Sequence, residues 1–209
     1  MPKKMHIEVI CFKIRVLQVL QVNTFFYFLF RYLSMTLQMK VMISTEEIQA
    51  KVKELGKKID AHYAQSDKEL VLIGLLRGSV IFMADLCRAI RKGHELDFMT
   101  VSSYGGNTTS SRDVKILKDL DGEIRGKDIL VVEDIIDSGN TLSKVIEILE
   151  TRHPHSIQLC TLISKPSRRE IDLDVKFLGF EVEDKFIVGY GLDYDQKYRH
   201  IPFIGEIGL

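Results

Sequence analysis

Three carboxylates within five residues are the feature of this sequence that most directly indicates chemistry. Glu133 and Asp134 follow the apolar run 129–132, and Asp137 stands three positions beyond Asp134. A short polar turn, 138–141, comes next and leads into a stretch with helical spacing. Backbone N–H groups at the start of a helix attract phosphate, and carboxylates bind hydroxyl groups and divalent cations. The segment therefore predicts a site for a sugar phosphate with a bound metal ion.

The elements that position these acids follow from the pattern of apolar residues. Short apolar runs predict strands, and stretches with helical spacing predict helices between several of them. The predicted strands are 71–76, 98–102, 128–132 and 157–163, and the predicted helices are 80–92 and 142–150. A further helix should begin at Ser44, because Glu47 stands at the capping-box position. The alternation favours an α/β fold with a mainly parallel sheet, whose ligands bind at the carboxyl ends of the strands.

Composition excludes several functional classes. The 209 residues include 29 Lys plus Arg and 29 Asp plus Glu, and no basic block stands out, which argues against a mainly electrostatic nucleic-acid binder. No GxxxxGK[ST] or GxGxxG motif supports a P-loop or dinucleotide fold. Cys11, Cys87 and Cys160 are far apart, so neither a disulfide framework nor a zinc site is supported. We expect a cytoplasmic protein.

The first forty residues differ from the remainder. They contain an apolar run, 25–30, but polar residues interrupt the longer stretch 16–33. That stretch is a poor match to a signal-peptide core or to a membrane span of about 20 apolar residues, so no membrane association is expected. We favour a translation start further in, at Met35, Met39 or Met42, which would make 1–38 an upstream artefact or a poorly packed extension outside the domain 39–209. A membrane anchor is the alternative.

The segment 131–141 resembles the phosphoribosyl-pyrophosphate signature of type I phosphoribosyltransferases. Four further segments resemble the bacterial hypoxanthine phosphoribosyltransferases, a purine family of this type, and occur in the same order: 75–79, 102–105, 165–169 and 188–194. The resemblance implies the type I phosphoribosyltransferase fold with a small C-terminal hood at about 166–209. It also implies Mg²⁺ as cofactor, phosphoribosyl pyrophosphate and a 6-oxopurine as substrates, and a homo-oligomer, either dimer or tetramer. The reaction would be transfer of the 5-phosphoribosyl group to N9 of hypoxanthine, and less well of guanine.

The same resemblance implies roles for the acidic segment. Glu133 and Asp134 would hold the ribose hydroxyls directly or through Mg²⁺, and Asp193 would be a further acid at the metal. Asp137 would be the general acid/base beside N7 of the purine. The residues of the turn would hold the 5′-phosphate: Ser138, Gly139, Asn140 and Thr141. The alternative is that the acids are solvated charges at a strand end and the turn merely caps a helix; two acids directly after four apolar residues, with a third close behind, argue against it.

Pyrophosphate and base complete the implied site. The residues that would bind pyrophosphate are Arg77, Gly78, Ser103, Tyr104 and Arg199. The polar stretch 105–111 would be a lid that excludes water, or else a solvated hairpin loop. Lys165 would donate a hydrogen bond to purine O6, Phe186 would stack on the base, and Ile187 would offer backbone groups to the ring edge.

Two rivals remain open from the residues alone. A non-catalytic regulator with the same fold could dispense with Asp137 or Lys165, and it would usually carry a basic surface for nucleic acid. A transferase for another base is the second rival. Lys165 and Phe186 argue against a pyrimidine, while the choice among purines rests on the resemblance.

Overall fold

The computed structural model describes residues 39–103 and 114–208. The extension 1–38 and the predicted lid 105–111 lie outside these ranges. The described part forms the following elements: β1 (Met39–Ile43), α1 (Thr45–His62), β2 (Leu70–Leu75), α2 (Val80–Ala89), β3 (His94–Ser103), β4 (Val114–Lys118), β5 (Asp128–Ile136), α3 (Asn140–Glu150), β6 (Ser156–Ser164), the 3₁₀ turn Pro166–Arg168, β7 (Phe177–Glu181), β8 (Ile187–Val188) and β9 (Ile204–Ile207).

A six-stranded sheet carries the fold, in the order β4-β3-β2-β5-β6-β7. All its pairings are parallel except that of β3 with β4, so the predicted mainly parallel sheet is confirmed. Ile48 of α1 and Phe82 of α2 pack in the core on one face, and Val145 of α3 packs in the core on the other. Because both faces are covered, the inner strands are continuous apolar runs: every residue of β2 is buried.

The predicted end of β5 at Val132 is wrong. The strand continues to Ile136 and stays paired with β6 as far as the rung Ile136↔Ser164. Glu133 and Asp134 therefore lie within the strand and point to opposite faces of the sheet. Charged residues usually end a buried strand, but here β6 is equally long, and Glu133 stays paired with Thr161.

The helix boundaries agree with the sequence in part: α1 and α2 begin where predicted, whereas α3 ends at Glu150 as predicted but begins two residues earlier, at Asn140. Ser44 and Glu47 form the expected capping box: the Glu47 N–H donates to Ser44 Oγ at 3.2 Å, and the Ser44 N–H donates to Glu47 Oε2 at 2.8 Å. The predicted end of α2 at position 92 is wrong, because the helix stops at Ala89. The next N–H groups, of Arg91 and Lys92, donate to the Asp60 carboxylate instead of continuing the helix.

A three-stranded sheet, β1-β9-β8, is the second layer of strands. β8 and β9 are antiparallel, with Ile187 opposite Glu206. Of the segment predicted as a hood, 166–209, these two strands join the small sheet, whereas β7 pairs with β6 in the large one. The domain boundaries stay a prediction. Within the described ranges, no helix has the length and apolar character needed to cross a bilayer.

Candidate active site

Three neighbouring parallel strands bring the predicted residues together. β2 is followed by Arg77 and Gly78, β5 by Asp137, and β6 by Lys165. Because β5 lies between β2 and β6, these three exits meet at the carboxyl edge of the sheet. The peptide bond between Leu76 and Arg77 is cis.

Asp134 lies directly against the turn after β2. Its side chain is buried, and a Cβ atom added to Gly78 would stand 1.8 Å from Asp134 Oδ2. Only glycine permits this approach of backbone to carboxylate. Burial raises the pKa of Asp134 to about 6, although the backbone N–H of Ile135 and the charge of Arg199 act in the opposite direction. The ionised form of Asp134 therefore needs a further positive or hydrogen-bonding partner.

Glu133 is also short of partners, on the other face of the strand. Its Oε2 atom is buried and has no hydrogen-bond partner among the described residues. Burial, and then the charge of Asp134, raise the pKa of Glu133 well above its usual range. A buried acceptor without a donor costs free energy, so this oxygen is suited to receiving a hydroxyl group from a ligand.

The loop between β8 and β9 places Asp193 and Arg199 beside the turn after β2. Arg199 Nη2 lies 2.7 Å from Asp193 Oδ1, and Arg199 Nη1 donates to the carbonyl oxygen of Gly191 at 2.6 Å. Gln196 Oε1 accepts from Arg77 Nη1 at 2.9 Å and from Arg199 Nη2 at 3.3 Å. The two arginines thus share one neutral acceptor, and Arg199 is in addition paired with Asp193, whereas the described residues show no ion pair for Arg77.

Gly191 allows the loop between β8 and β9 to approach the turn after β2. It has φ +103°, a left-handed conformation that favours glycine, and a Cβ there would stand 2.1 Å from the Gly78 carbonyl oxygen. The loop between β8 and β9 therefore packs directly on the turn after β2, near Asp134.

The predicted phosphate turn opens α3. Gly139 is the N-cap, with φ +84°, and has no side chain to cap the helix, while the Asn140 N–H donates to Ser138 Oγ at 3.4 Å. The other N–H groups of the first turn would suit an anion at the carboxyl edge of the sheet. The Ser138 carbonyl oxygen accepts from the N–H groups of Glu170 at 2.9 Å and Ile171 at 3.2 Å. Asn140 Nδ2 donates to Glu170 Oε2 at 2.7 Å. The segment after β6 therefore holds the turn 138–141 in place through hydrogen bonds.

A chain of charged side chains runs from Asp137 to Lys165. Arg168 Nε donates to Asp137 Oδ1 at 2.6 Å, and Arg168 Nη1 donates to Asp184 Oδ2 at 3.3 Å. Asp184 Oδ1 in turn lies 3.5 Å from Lys165 Nζ. The Lys165 side chain is buried and donates to the Lys185 carbonyl oxygen at 2.7 Å. Both groups predicted to address the purine are thus held by neighbours.

Phe186 and Ile187 differ in exposure, as their predicted roles require. Phe186 is 40% exposed and meets Tyr194 edge to face, with 5.2 Å between ring centroids. Ile187 is buried in β8. An exposed ring face beside a fixed strand can stack on a planar base.

The two remaining predicted residues are only partly placed. Ser103 is the last residue of β3, and Tyr104 lies outside the described residues. Sequence patterns give no signal for Asp184 or Gln196, and Gly191 lies in the motif 188–194 without a role being predicted for it. Arg168 belongs to the motif 165–169, yet an isolated arginine is most often a surface charge, so no role is predicted for it.

Comparison with known proteins adds independent information. A family model described as a phosphoribosyl transferase domain matches residues 44–195. A hypoxanthine phosphoribosyltransferase of Salmonella typhimurium is 61% identical over 170 residues, covering 81% of this chain and 96% of the relative. A hypoxanthine-guanine phosphoribosyltransferase of Bacillus subtilis is 54% identical over 168 residues, covering 80% and 92%. The crystal structure of a hypoxanthine phosphoribosyltransferase from Staphylococcus aureus is 42% identical with a TM-score of 0.79, covering 84% of this chain and 95% of that one.

Proposed function

The chain belongs to the phosphoribosyl transferase family and is a purine salvage enzyme that converts hypoxanthine to IMP, and we propose that the residues at the carboxyl edge of its sheet perform the transfer. Guanine is the proposed second, poorer substrate. The observation that carries the assignment of roles is the meeting of three strand exits, which puts an anion-binding turn between the pair Arg77 and Arg199 and the buried Lys165.

In the proposed reaction, a bond forms between N9 of the base and C1 of the ribose as the bond from C1 to the pyrophosphate oxygen breaks. The pyrophosphate leaves with the bonding electron pair. The proton on N7 passes to the Asp137 carboxylate, which acts as the general base. In the reverse direction the same carboxyl group returns the proton. Asp134, in its ionised form, would stabilise the positive charge that develops on the ribosyl carbon.

The donor substrate is held at three places. The N–H groups and hydroxyls of the turn hold the 5′-phosphate: Ser138, Gly139, Asn140 and Thr141. Pyrophosphate lies against the turn after β2 and the loop between β8 and β9, where Gly78 offers close backbone approach and Arg77 and Arg199 supply positive charge. The ribose hydroxyls are the proposed ligands of Glu133 and Asp134, and because the two side chains leave β5 on opposite faces, each would take a different hydroxyl. Ser103, Tyr104 and the lid 105–111 would close over the pyrophosphate and exclude water, which would otherwise hydrolyse the donor.

Mg²⁺ is the proposed cofactor, and the residues fit it in a limited way. The described residues contain no group of three or more acids, histidines or cysteines arranged to hold a metal ion. Magnesium is commonly held by one or two carboxylates together with substrate phosphates and water. Asp134 and Asp193 are the proposed carboxylates, because Asp134 is buried against Gly78 and Asp193 lies in the loop that packs on the same turn through Gly191. When bound, the ion would neutralise the leaving pyrophosphate.

The base is recognised along one edge. Lys165 donates to O6, Asp137 addresses N7, Phe186 stacks on the ring and Ile187 offers backbone groups. A site that presents a donor to O6 rejects a 6-amino purine, because two donors would then face each other.

A purine panel assay with phosphoribosyl pyrophosphate and Mg²⁺ tests the proposal, with wild type and Asp137→Ala compared. Hypoxanthine should be the best substrate, and the substitution should lower turnover at least ~100-fold, the range expected when a general base is lost. The absence of pyrophosphate release with every purine would falsify the enzyme assignment. Full activity of Asp137→Ala would refute the role given to that residue alone.

Two further properties belong to the proposal. The protein is proposed to work in the cytoplasm, where the thiols of Cys87 and Cys160, both unbridged, would stay reduced. A dimer or tetramer is proposed as the working assembly, and light scattering at assay concentration would test it.

A further inference from the structure

Arg168 lies between two acids that come from different parts of the chain. Its Nε donates to Asp137 Oδ1 at 2.6 Å, and its Nη1 donates to Asp184 Oδ2 at 3.3 Å. The side chains of Arg168 and Asp137 are 50% and 46% exposed, so neither partner is forced together by burial. Ion pairs as exposed as this contribute little to stability. The pairing therefore calls for an explanation other than holding the fold together.

The backbone around Arg168 is fixed to the loop that carries Asp137. Arg168 ends the 3₁₀ turn Pro166–Arg168, and its N–H donates to the Lys165 carbonyl oxygen at 3.1 Å. Just beyond it, the N–H groups of Glu170 and Ile171 both donate to the Ser138 carbonyl oxygen. Arg168 is thus attached on one side to the residue that binds the base and on the other to the turn that binds the phosphate. The backbone position from which its guanidinium reaches Asp137 is therefore fixed.

We propose that Arg168 is a positioning residue for Asp137. By occupying Oδ1, it fixes the plane of the carboxylate and leaves Oδ2 directed to the purine. The planar guanidinium can reach Asp137 and Asp184 at once from two different nitrogens, which a lysine cannot do. Since Asp184 also lies 3.5 Å from Lys165 Nζ, one connected chain aligns the groups that address N7 and O6. The inference rests on the role proposed for Asp137.

The expected effect is on turnover rather than on folding. A misplacement of about 1 Å in a catalytic group can cost on the order of 100-fold, so loss of one of several constraints should cost about 10-fold. Arg168→Ala should therefore lower kcat for hypoxanthine about tenfold, with the KM for phosphoribosyl pyrophosphate changed less than about twofold. Arg168→Lys should recover part of this loss, because it keeps the charge but not the fork.

A double-mutant cycle with Asp137 gives the sharpest test. If Arg168 acts through Asp137, then Arg168→Ala should change the residual turnover of Asp137→Ala by less than about twofold. Arg125→Ala is the matched control, because Arg125 is an exposed arginine paired only with the exposed Glu123 within the described ranges. Thermal denaturation of each variant, including Arg168→Gln as a second neutral replacement, separates loss of fold from loss of turnover.

Three results would overturn the inference. An unchanged kcat in Arg168→Ala and Arg168→Gln would show that Asp137 needs no such partner. A tenfold loss in both the wild-type and the Asp137→Ala background would show that Arg168 acts on the substrate or on the fold directly. Full activity of Asp137→Ala would remove the premise, and this outcome is recognised separately from the other two.

Discussion

Asp134 and Asp137 stand three residues apart and in opposite surroundings. Asp134 lies inside β5, is 8% exposed, and touches the Gly78 backbone. Its pKa is raised to about 6, chiefly by burial. Asp137 follows the last residue of the strand, is half-exposed, and accepts a short hydrogen bond from Arg168. Asp134 is thus buried without an ion-pair partner among the described residues, whereas Asp137 is paired with Arg168.

The difference separates two ways of preparing a site. The buried acid holds its charge at a cost, and a ligand that supplies hydroxyl groups or a cation relieves that cost on binding. The paired acid carries no such cost, and what its surroundings supply is orientation. Changes near Asp134 should therefore act on donor binding and on stability. Changes near Asp137 should act on turnover and base choice.

Gly78→Ala, next to the buried Asp134, should produce the largest loss of activity. The new Cβ would stand 1.8 Å from Asp134 Oδ2, and a short buried carboxylate has no room to withdraw. We expect kcat/KM for phosphoribosyl pyrophosphate to fall by about 100-fold, since backbone approach and carboxylate position are both lost. Steady-state kinetics measure it. Gly93→Ala is the control, because a Cβ at Gly93 meets nothing within 4 Å, and equal activity of the two variants would contradict the account.

Asp134→Asn should stabilise the protein in the absence of ligands while impairing catalysis. Because burial raises the pKa of Asp134 from its ordinary value to about 6, the folded protein keeps a proton that the unfolded chain loses between roughly pH 4 and 6. Stability therefore falls as the pH rises through this window. Asparagine removes that loss, so the free energy of unfolding at pH 7 should rise by roughly 2 kcal/mol, with little gain at pH 4.

Denaturant unfolding of wild type and variant at the two pH values checks this expectation. Asp67→Asn is a suitable control, because Asp67 is exposed and the neighbouring Lys68 lowers the pKa of its carboxyl group. A gain for Asp134→Asn that is the same at pH 4 and pH 7 would mean that packing, not charge burial, explains it.

Lys165→Gln, in the charged chain that includes Asp137, should produce the smallest of these effects, a change in base preference. The buried ammonium group is held by the Lys185 carbonyl oxygen and lies near Asp184, so it presents only donors to the base. Glutamine presents a donor and an acceptor, and the preference for hypoxanthine over adenine should fall at least ~10-fold. Competition between the two bases measures it. Lys58→Gln, an exposed lysine on α1, should leave the ratio unchanged.

The parts of the molecule that the sequence predicts are those with local causes. Every residue of β2 is buried, so the strand is readable as an apolar run, and the capping box of Ser44 and Glu47 needs only residues three apart. The continuation of β5 to Ile136 could not be predicted from local sequence, because it depends on pairing with β6, which is equally long.

The pairing of charges in the site also lies beyond local patterns. Arg168 meets Asp137 from 31 residues away and Asp184 from 16. Nothing in the spacing of apolar residues reports such a contact, so the resemblance could name Asp137 but not what holds it. The roles of the site residues, those of Ser103 and Tyr104 included, stay predictions.

The last residue pair between β5 and β6 fixes the spacing of Asp137 and Lys165. Ile136 is paired with Ser164, and the Lys165 N–H donates to the Ile136 carbonyl oxygen at 3.0 Å. Asp137 and Lys165 therefore leave the sheet side by side, at the strand spacing of about 4.8 Å. A slip of one residue in this pairing would displace one group by about 3.3 Å relative to the other. If Asp137 and Lys165 bind the base as proposed, the backbone pairing of β5 and β6 sets the distance between the two base atoms that they contact.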